Sequence, residues 1–429
     1  MYSGFGRPVL VVFLFFQMAF AYQSQANAEF TRAMRLAASG QFADAEASLR
    51  SLESAHPKLF EIRYRLGLIL LRQNKPKEAV IRFQSAIELA PKSALAWVGL
   101  AQSRLKLPAR PPALEAAGRA VQLAPEEPAA WRALAIFYAE SEDFSKAAEC
   151  EERWSLASPG DSQSKGRTAE YYVSAGKAER AAKQPAKAAD SYQRAIRLAP
   201  DDPKPYFELA ALLLDHRTPE PAVPFLDSAI SRFPKDPEFR RLLGLAQYQL
   251  GNVPQAISAF LSVCDLDPDT EIGYASLETL LNDAGSRLPE IIERFHTFRS
   301  RKPASPVGHY LLARALTIQA APASDRELLL RKAISVATDF WPAHYELGLL
   351  LEGESKLNEA LRSLTEAARI NPRYAPAHFA LARLHARAGD RTQAVEHRKI
   401  HGQLLARQRT LAERARDESP ALNYRLSGR

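Results

Sequence analysis

The sequence carries little of what enzymes use for chemistry. Two cysteines, Cys150 and Cys264, occur in 429 residues, too few for a disulfide framework. There is no HExxH, no phosphate-binding glycine loop ending in Lys-Ser/Thr, no GxGxxG and no CxxC pair. Zinc, nucleotide and dinucleotide sites of the familiar kinds are therefore not indicated, and no cofactor is expected. Regular apolar–polar alternation rich in β-branched residues is also missing, which argues against a sheet-based enzyme. Nor does any apolar run reach the ~20 residues that a membrane-spanning helix needs.

What is present is an Ala-, Leu-, Arg- and Glu-rich chain, 46% hydrophobic and 25% charged, a composition that favours helix throughout. The first 21 residues differ: Arg7 precedes the 13-residue run VLVVFLFFQMAFA, and small residues at Ala19 and Ala21, then Ala26 and Ala28, offer two cleavage sites. This pattern reads as a secretory signal peptide over 1–21, with cleavage as late as 28. The expected location is exported, periplasmic or secreted, and membrane contact is expected only through an uncleaved signal or the basic C-terminal segment. The net charge is +8, and residues 373–429 hold +7 of it, 12 Lys or Arg against 5 Asp or Glu.

A fixed period organises the rest. WPAHYELGLLL at 341–351 returns as APAHFALARLH at 375–385, 34 residues on. Prolines 57, 91, 125 and 159 are also 34 apart, as are 200, 234 and 268. Small residues recur in two columns. One runs Ala33, Gly67, Ala101, Ala135, Gly176, Ala210, Gly244, Ala313, Gly348 and Ala382, broken at Glu278. The other runs Ala45, Ala79, Ala113, Ala147, Ala188, Ala222, Ala256, Ala360 and Ala394, broken at Ile291 and Arg326. Such columns mark where two helices cross closely, and Gly40, Asn74, Gly251 and Gly389 fall at the turn between them. Each unit is therefore expected to be a helical hairpin that stacks on its neighbours.

These columns resemble the tetratricopeptide repeat, most clearly in residues 60–93, 128–161 and 341–374. The resemblance implies an all-α, right-handed superhelical solenoid of about eleven helix-turn-helix units within 22–408. The units are expected near 26–59, 60–93, 94–127, 128–161, 169–202, 203–236, 237–270, 271–305, 306–340, 341–374 and 375–408. Seven residues, 162–168, are inserted before the fifth. A long amphipathic helix over 398–417 is expected to cap the array, with a disordered tail at 418–429.

The family's groove-lining places correspond here to Tyr64, Leu68, Arg72, Val98, Lys106, Arg132, Ile136, Lys177, Arg180, Phe207, Leu214, Arg241, Leu245, Tyr248, Tyr310, Arg314, Tyr345, Phe379, Arg383 and Arg387. Aromatic and arginine side chains are the types enriched at interface hot spots. Tyr64, Arg72, Arg132, Arg241, Tyr248, Tyr310, Arg314, Tyr345, Phe379, Arg383 and Arg387 are accordingly the expected partner-binding residues. The resemblance implies a non-catalytic protein–protein interaction scaffold. Its partner is expected to be a protein or peptide segment, the basic groove pointing to an acidic one, in an envelope or secreted complex. No nucleic acid is expected. The alternative is an accessory subunit whose groove aromatics stack on polysaccharide or cell-wall glycan.

Two other features read as structural. His309, His344 and His378 share a column with Trp97, Trp131, Tyr172, Tyr206 and Tyr274, which suits planar packing better than a shared metal, since zinc ligands must converge to about 2 Å from one ion. His397 and His401 stand four apart on a helix but lack an evident third ligand. Gly160-Asp161-Ser162 matches a hydrolase nucleophile block without the strand that such a block follows.

Overall fold

The computed structural model describes residues 26–107, 111–157 and 163–418. The leader at 1–21, the Gly160-Asp161-Ser162 stretch and the tail from 419 lie outside the described residues. The described residues are helices joined by short turns, and they contain no strand. No helix among them is long and apolar enough to cross a membrane. The chain divides into two units, one of Met1–Ala178 with Arg194–Pro200 and one of Glu179–Gln193 with Asp201–Arg429.

The N-terminal unit contains α1 (residues 26–38), α2 (Phe42–Ala55), α3 (Phe60–Arg72), α4 (Pro76–Leu89), α5 (Ala94–Leu105), α6 (Pro111–Leu123), α7 (Pro128–Glu140) and α8 (Phe144–Ala157), and most of α9 (Ser164–Ala181). Helix α10 (Pro185–Leu198) is shared by the two units. The C-terminal unit continues with α11 (Pro203–Asp215), α12 (Pro219–Arg232), α13 (Pro237–Gln249), α14 (Val253–Leu266), α15 (Glu271–Glu278), α16 (Leu288–Arg301), α17 (Pro306–Ile318), α18 (Ala323–Val336), α19 (Trp341–Gly353), α20 (Leu357–Ile370), α21 (Ala375–Arg387) and α22 (Arg391–Glu418).

Odd-numbered helices open the repeats. Several begin with a proline at the first turn, where its missing N–H is no loss, as at Pro128, Pro203 and Pro237. The carboxylates of Asp202 and Asp236 and the Ser305 hydroxyl accept from backbone N–H groups two residues on, satisfying donors that the helix leaves open. Both small-residue columns are buried at every member. A Cβ at Gly244 would stand 2.4 Å from the Phe260 ring, and one at Gly348 would stand 2.5 Å from Leu364. The close crossings thus require those glycines.

The mid-repeat turn imposes one demand that residue type alone hides. Gly40, Asn74, Gly251 and Gly389 have positive φ, and so do Glu142, Lys183, Arg217, Ala320 and Ser355 at the matching places. One left-handed residue per turn is a geometric requirement of the hairpin.

The histidine column is more than planar packing. Trp97 Nε1 and Trp131 Nε1 donate to the Pro91 and Pro125 carbonyls, and Tyr274 donates to Pro268. His309, His344 and His378 place Nε2 at 3.1, 2.9 and 3.0 Å from the carbonyls of Pro303, Thr338 and Pro372. Each ring therefore satisfies a carbonyl six residues upstream, at the end of the preceding helix.

The array departs from a strict 34-residue hairpin at three places. The inserted residues lengthen α9 to 18 residues, so it starts at Ser164 rather than at 169. The helix expected over 398–417 is continuous with the second helix of the last repeat: α22 runs unbroken from Arg391 to Glu418 for 28 residues, with no proline to stop it. Around the Glu278 column break, α15 has only eight residues and gives way to two 3-10 turns, Leu281–Asp283 and Gly285–Arg287.

Candidate partner-binding grooves

In the N-terminal unit the first helices α3, α5 and α7 lie side by side. Their last turns enclose an open cavity of about 510 Å3, lined by Leu68, Leu71, Arg72, Gln102, Leu105, Lys106, Ile136 and Glu140. These helices converge because the Gly67, Gly99 and Ala101 backbones allow close approach to Phe83 and its neighbours. The lining is mostly aliphatic, with two exposed cations at its edge. Neither Arg72 nor Lys106 has a carboxylate partner among the described residues. The sequence anticipated Leu68, Arg72, Lys106 and Ile136. It missed Leu71, Gln102, Leu105 and Glu140, which stand beside them or one turn away on the same helices.

The remaining N-terminal candidates are more occupied. The Tyr64 ring stacks on Phe60 at 5.6 Å and meets the edge of Phe83 at 6.0 Å. The Arg132 guanidinium lies 4.9 Å from the centre of buried Trp154, which Arg167 also approaches, at 4.7 Å. Val98 is corrected to a core residue: it is buried against Ala120 and Ala130, because its position faces the second helix of its own hairpin. Lys177 is exposed on α9.

In the C-terminal unit the corresponding cations face carboxylates of the same unit. Tyr310 donates its hydroxyl to Glu278 at 2.6 Å. Arg314 stands 3.7 Å from Glu278 and 3.3 Å from Glu346. Burial pushes the Glu346 carboxyl above its ordinary range, against the pull of Arg314. Burial likewise raises Tyr310, and raises Tyr345 to about 12. Tyr345 sits edge-on to Tyr374 at 5.0 Å, and Tyr310 edge-on to Phe340 at 5.5 Å. One repeat further, Glu352 is buried and accepts from Arg383 through both oxygens, with Arg387 at 3.3 Å. Arg241 pairs with Glu238, and Arg180 with Glu208 and Asp215.

The expected basic positions in this unit are therefore ion-paired internally: Arg241 on its own helix, Arg180 with the following first helix, Arg383 and Arg387 with the preceding one, and Arg314 with both neighbours. Leu214 is buried and Leu245 packs partly against the core, while Phe207 is half-buried. Tyr248 and Phe379 remain open, at 42% and 52% exposed, although His401 packs on the Phe379 ring at 5.2 Å.

Neither cysteine forms a disulfide, and both are buried, with thiols that burial pushes up to about 12. They act as small apolar side chains. Among the described residues no group of three metal-ligating side chains is arranged to hold an ion. Instead His401 Nδ1 donates to the Ala375 carbonyl, and His397 faces His378.

Hairpins stacked through buried small-residue columns, with first helices lining a groove, define an all-α repeat protein. Models of the tetratricopeptide repeat match residues 30–94, 64–110, 207–270 and 345–397, and a second such model matches 169–202. These stretches cover more than half of the chain, which belongs to the tetratricopeptide repeat family. Members of that family are typically non-catalytic scaffolds for protein–protein interaction.

Among solved structures, yeast Tom70 is similar at 16% identity and a TM-score of 0.43, over 92% of this chain and 96% of that one. Naa15/Naa10 bound to HypK-THB is similar at 15% identity and 0.48, over 92% and 66%. YrrB, described as having an unusual peptide-binding site, is similar at 18% and 0.32, over 46% and 97%. No curated protein matches the sequence.

Proposed function

We propose that this chain is an exported, non-catalytic scaffold that captures a segment of a partner protein in the groove of its N-terminal unit and so tethers an envelope or secreted complex. One observation carries the reading: the α3–α5–α7 cavity couples a mostly aliphatic lining to two cations, Arg72 and Lys106, that have no carboxylate partner among the described residues. An apolar side chain entering the space between Leu68, Leu71, Leu105 and Ile136 gains roughly 1.5–3 kcal/mol from leaving water. A carboxylate beside it on the partner meets Arg72 and Lys106, and arginine accepts such a group through two parallel hydrogen bonds. The preferred segment is therefore short, with an apolar anchor next to an acidic residue.

Export rests on the leader-like residues 1–21, and an intact mass that retains them on exported protein would argue against their removal. Selection of displayed peptides on the purified protein tests the groove. The expected winners pair an apolar residue with Asp or Glu and lose about thirtyfold in affinity against the double variant Arg72→Glu, Lys106→Glu. Equal affinity for that variant, or binding of polysaccharide and of no peptide, overturns the proposal.

A further inference from the structure

Three histidines meet in the C-terminal hairpin. Nε2 of His378 lies 3.0 Å from the Pro372 carbonyl. A carbonyl only accepts, so in the neutral ring the proton sits on Nε2 and Nδ1 is left as an acceptor. Nδ1 of His397, across the hairpin on α22, is 3.1 Å from that atom and therefore donates to it. The His385 ring lies parallel to His397, 16° from coplanar with centroids 5.6 Å apart. Its own Nδ1 is 3.6 Å from Asp390 in the turn. His378 is buried and His397 half-buried, so the contact between α21 and α22 runs through imidazoles in one protonation pattern.

We propose that this cluster is an acid-sensitive latch: neutral imidazoles hold α22 against α21, and proton uptake releases α22. Asp390 faces His385, and a protonated His385 ring lays its positive charge on the parallel ring of His397. A first proton on the His378–His397 pair still leaves one hydrogen bond between them. A second puts N–H groups on both facing Nδ1 atoms and abolishes it. Neighbouring charges do little to offset this. Glu396 on α22 acts on His397, but the exposed Arg398 and Lys399 follow it. The buried face of α20, the helix packed on α21, is Ala360, Leu364, Ala367 and Ala368, and its Arg369 is paired with Glu366.

Burial, then the charges of His378 and His385, lower the proton affinity of His397 below that of a free imidazole. A base depressed in this way contributes stability that is complete above the free value near 6.5 and is lost as pH falls through the docked value. The latch is therefore shut at neutral pH and opens as the solution becomes acidic. It is independent of partner capture by the N-terminal unit.

Hydrogen exchange of the whole protein at pH 7.5 and pH 5.0, corrected for the intrinsic pH dependence, tests it. Opening of residues 391–404 is expected to rise at least tenfold at pH 5.0. In His378→Tyr the rise should fall below threefold, since Tyr274 shows that a tyrosine in this column keeps the bond to the upstream carbonyl. His397→Gln retains a donor and serves as the second variant. An unchanged wild-type hairpin at pH 5.0, or the same tenfold rise in both variants, overturns the latch.

Discussion

The two units spend the same residue types differently. Between α3, α5 and α7, Arg72 and Lys106 edge a mostly aliphatic cavity that Glu140 also lines, and among the described residues neither cation is ion-paired. Between α15, α17, α19 and α21, Arg314, Arg383 and Arg387 are held by Glu278, Glu346 and Glu352, and Tyr310 donates to the first of these. The first groove offers charge to a visitor. The second satisfies its own charge and gains rigidity. Whether an arginine at a groove-lining position is left unpaired thus depends on whether a neighbouring repeat supplies its counter-ion.

Breaking the second groove should have the largest effect. Arg314→Glu sets a third carboxylate between Glu278 and Glu346 and is expected to destabilise the C-terminal unit by roughly 3 kcal/mol, visible as a lower denaturant midpoint. Peptide affinity should stay within twofold, which separates the two grooves. An overpacking variant of the same unit, Gly348→Leu, should cost about 2 kcal/mol by driving a side chain into Leu364. It leaves the charges intact, so a loss of peptide binding here would mean that the N-terminal groove depends on the C-terminal unit. The reversal of Arg72 and Lys106 should cost about thirtyfold in affinity, read by calorimetric titration, with the unfolding midpoint nearly unmoved because both side chains are exposed. The smallest change is a gain: Ser355→Gly relieves a non-glycine residue at φ 63° and should add about 0.5–1 kcal/mol.

Period and columns made the hairpins legible, because a close crossing tolerates only small residues and a helix end favours proline. The starts of α3, α5, α7, α11, α13, α15, α17, α19 and α21 fall at the expected phase. The groove was harder to read, for a definite reason. Side chains that meet there come from successive first helices, so their partners are about one repeat away. Glu278 and Tyr310 are 32 apart, Glu352 and Arg383 are 31 apart. A search for opposite charges at that separation would have found the ion pairs, and the column break at Glu278 marked one of them. Left-handed turns at Glu142, Lys183, Arg217, Ala320 and Ser355 had no comparable signal. Hairpin closure imposes them on residues that do not favour them.

Hydrogen exchange of the purified protein with and without a selected apolar–acidic peptide tests the contrast between grooves most directly. Slower exchange is expected in the last turns of α3, α5 and α7, around Leu71, Leu105 and Ile136, with α15, α17, α19 and α21 unchanged. Protection confined to the helices around Arg314 and Glu346, with none at Leu71 or Leu105, would contradict the account.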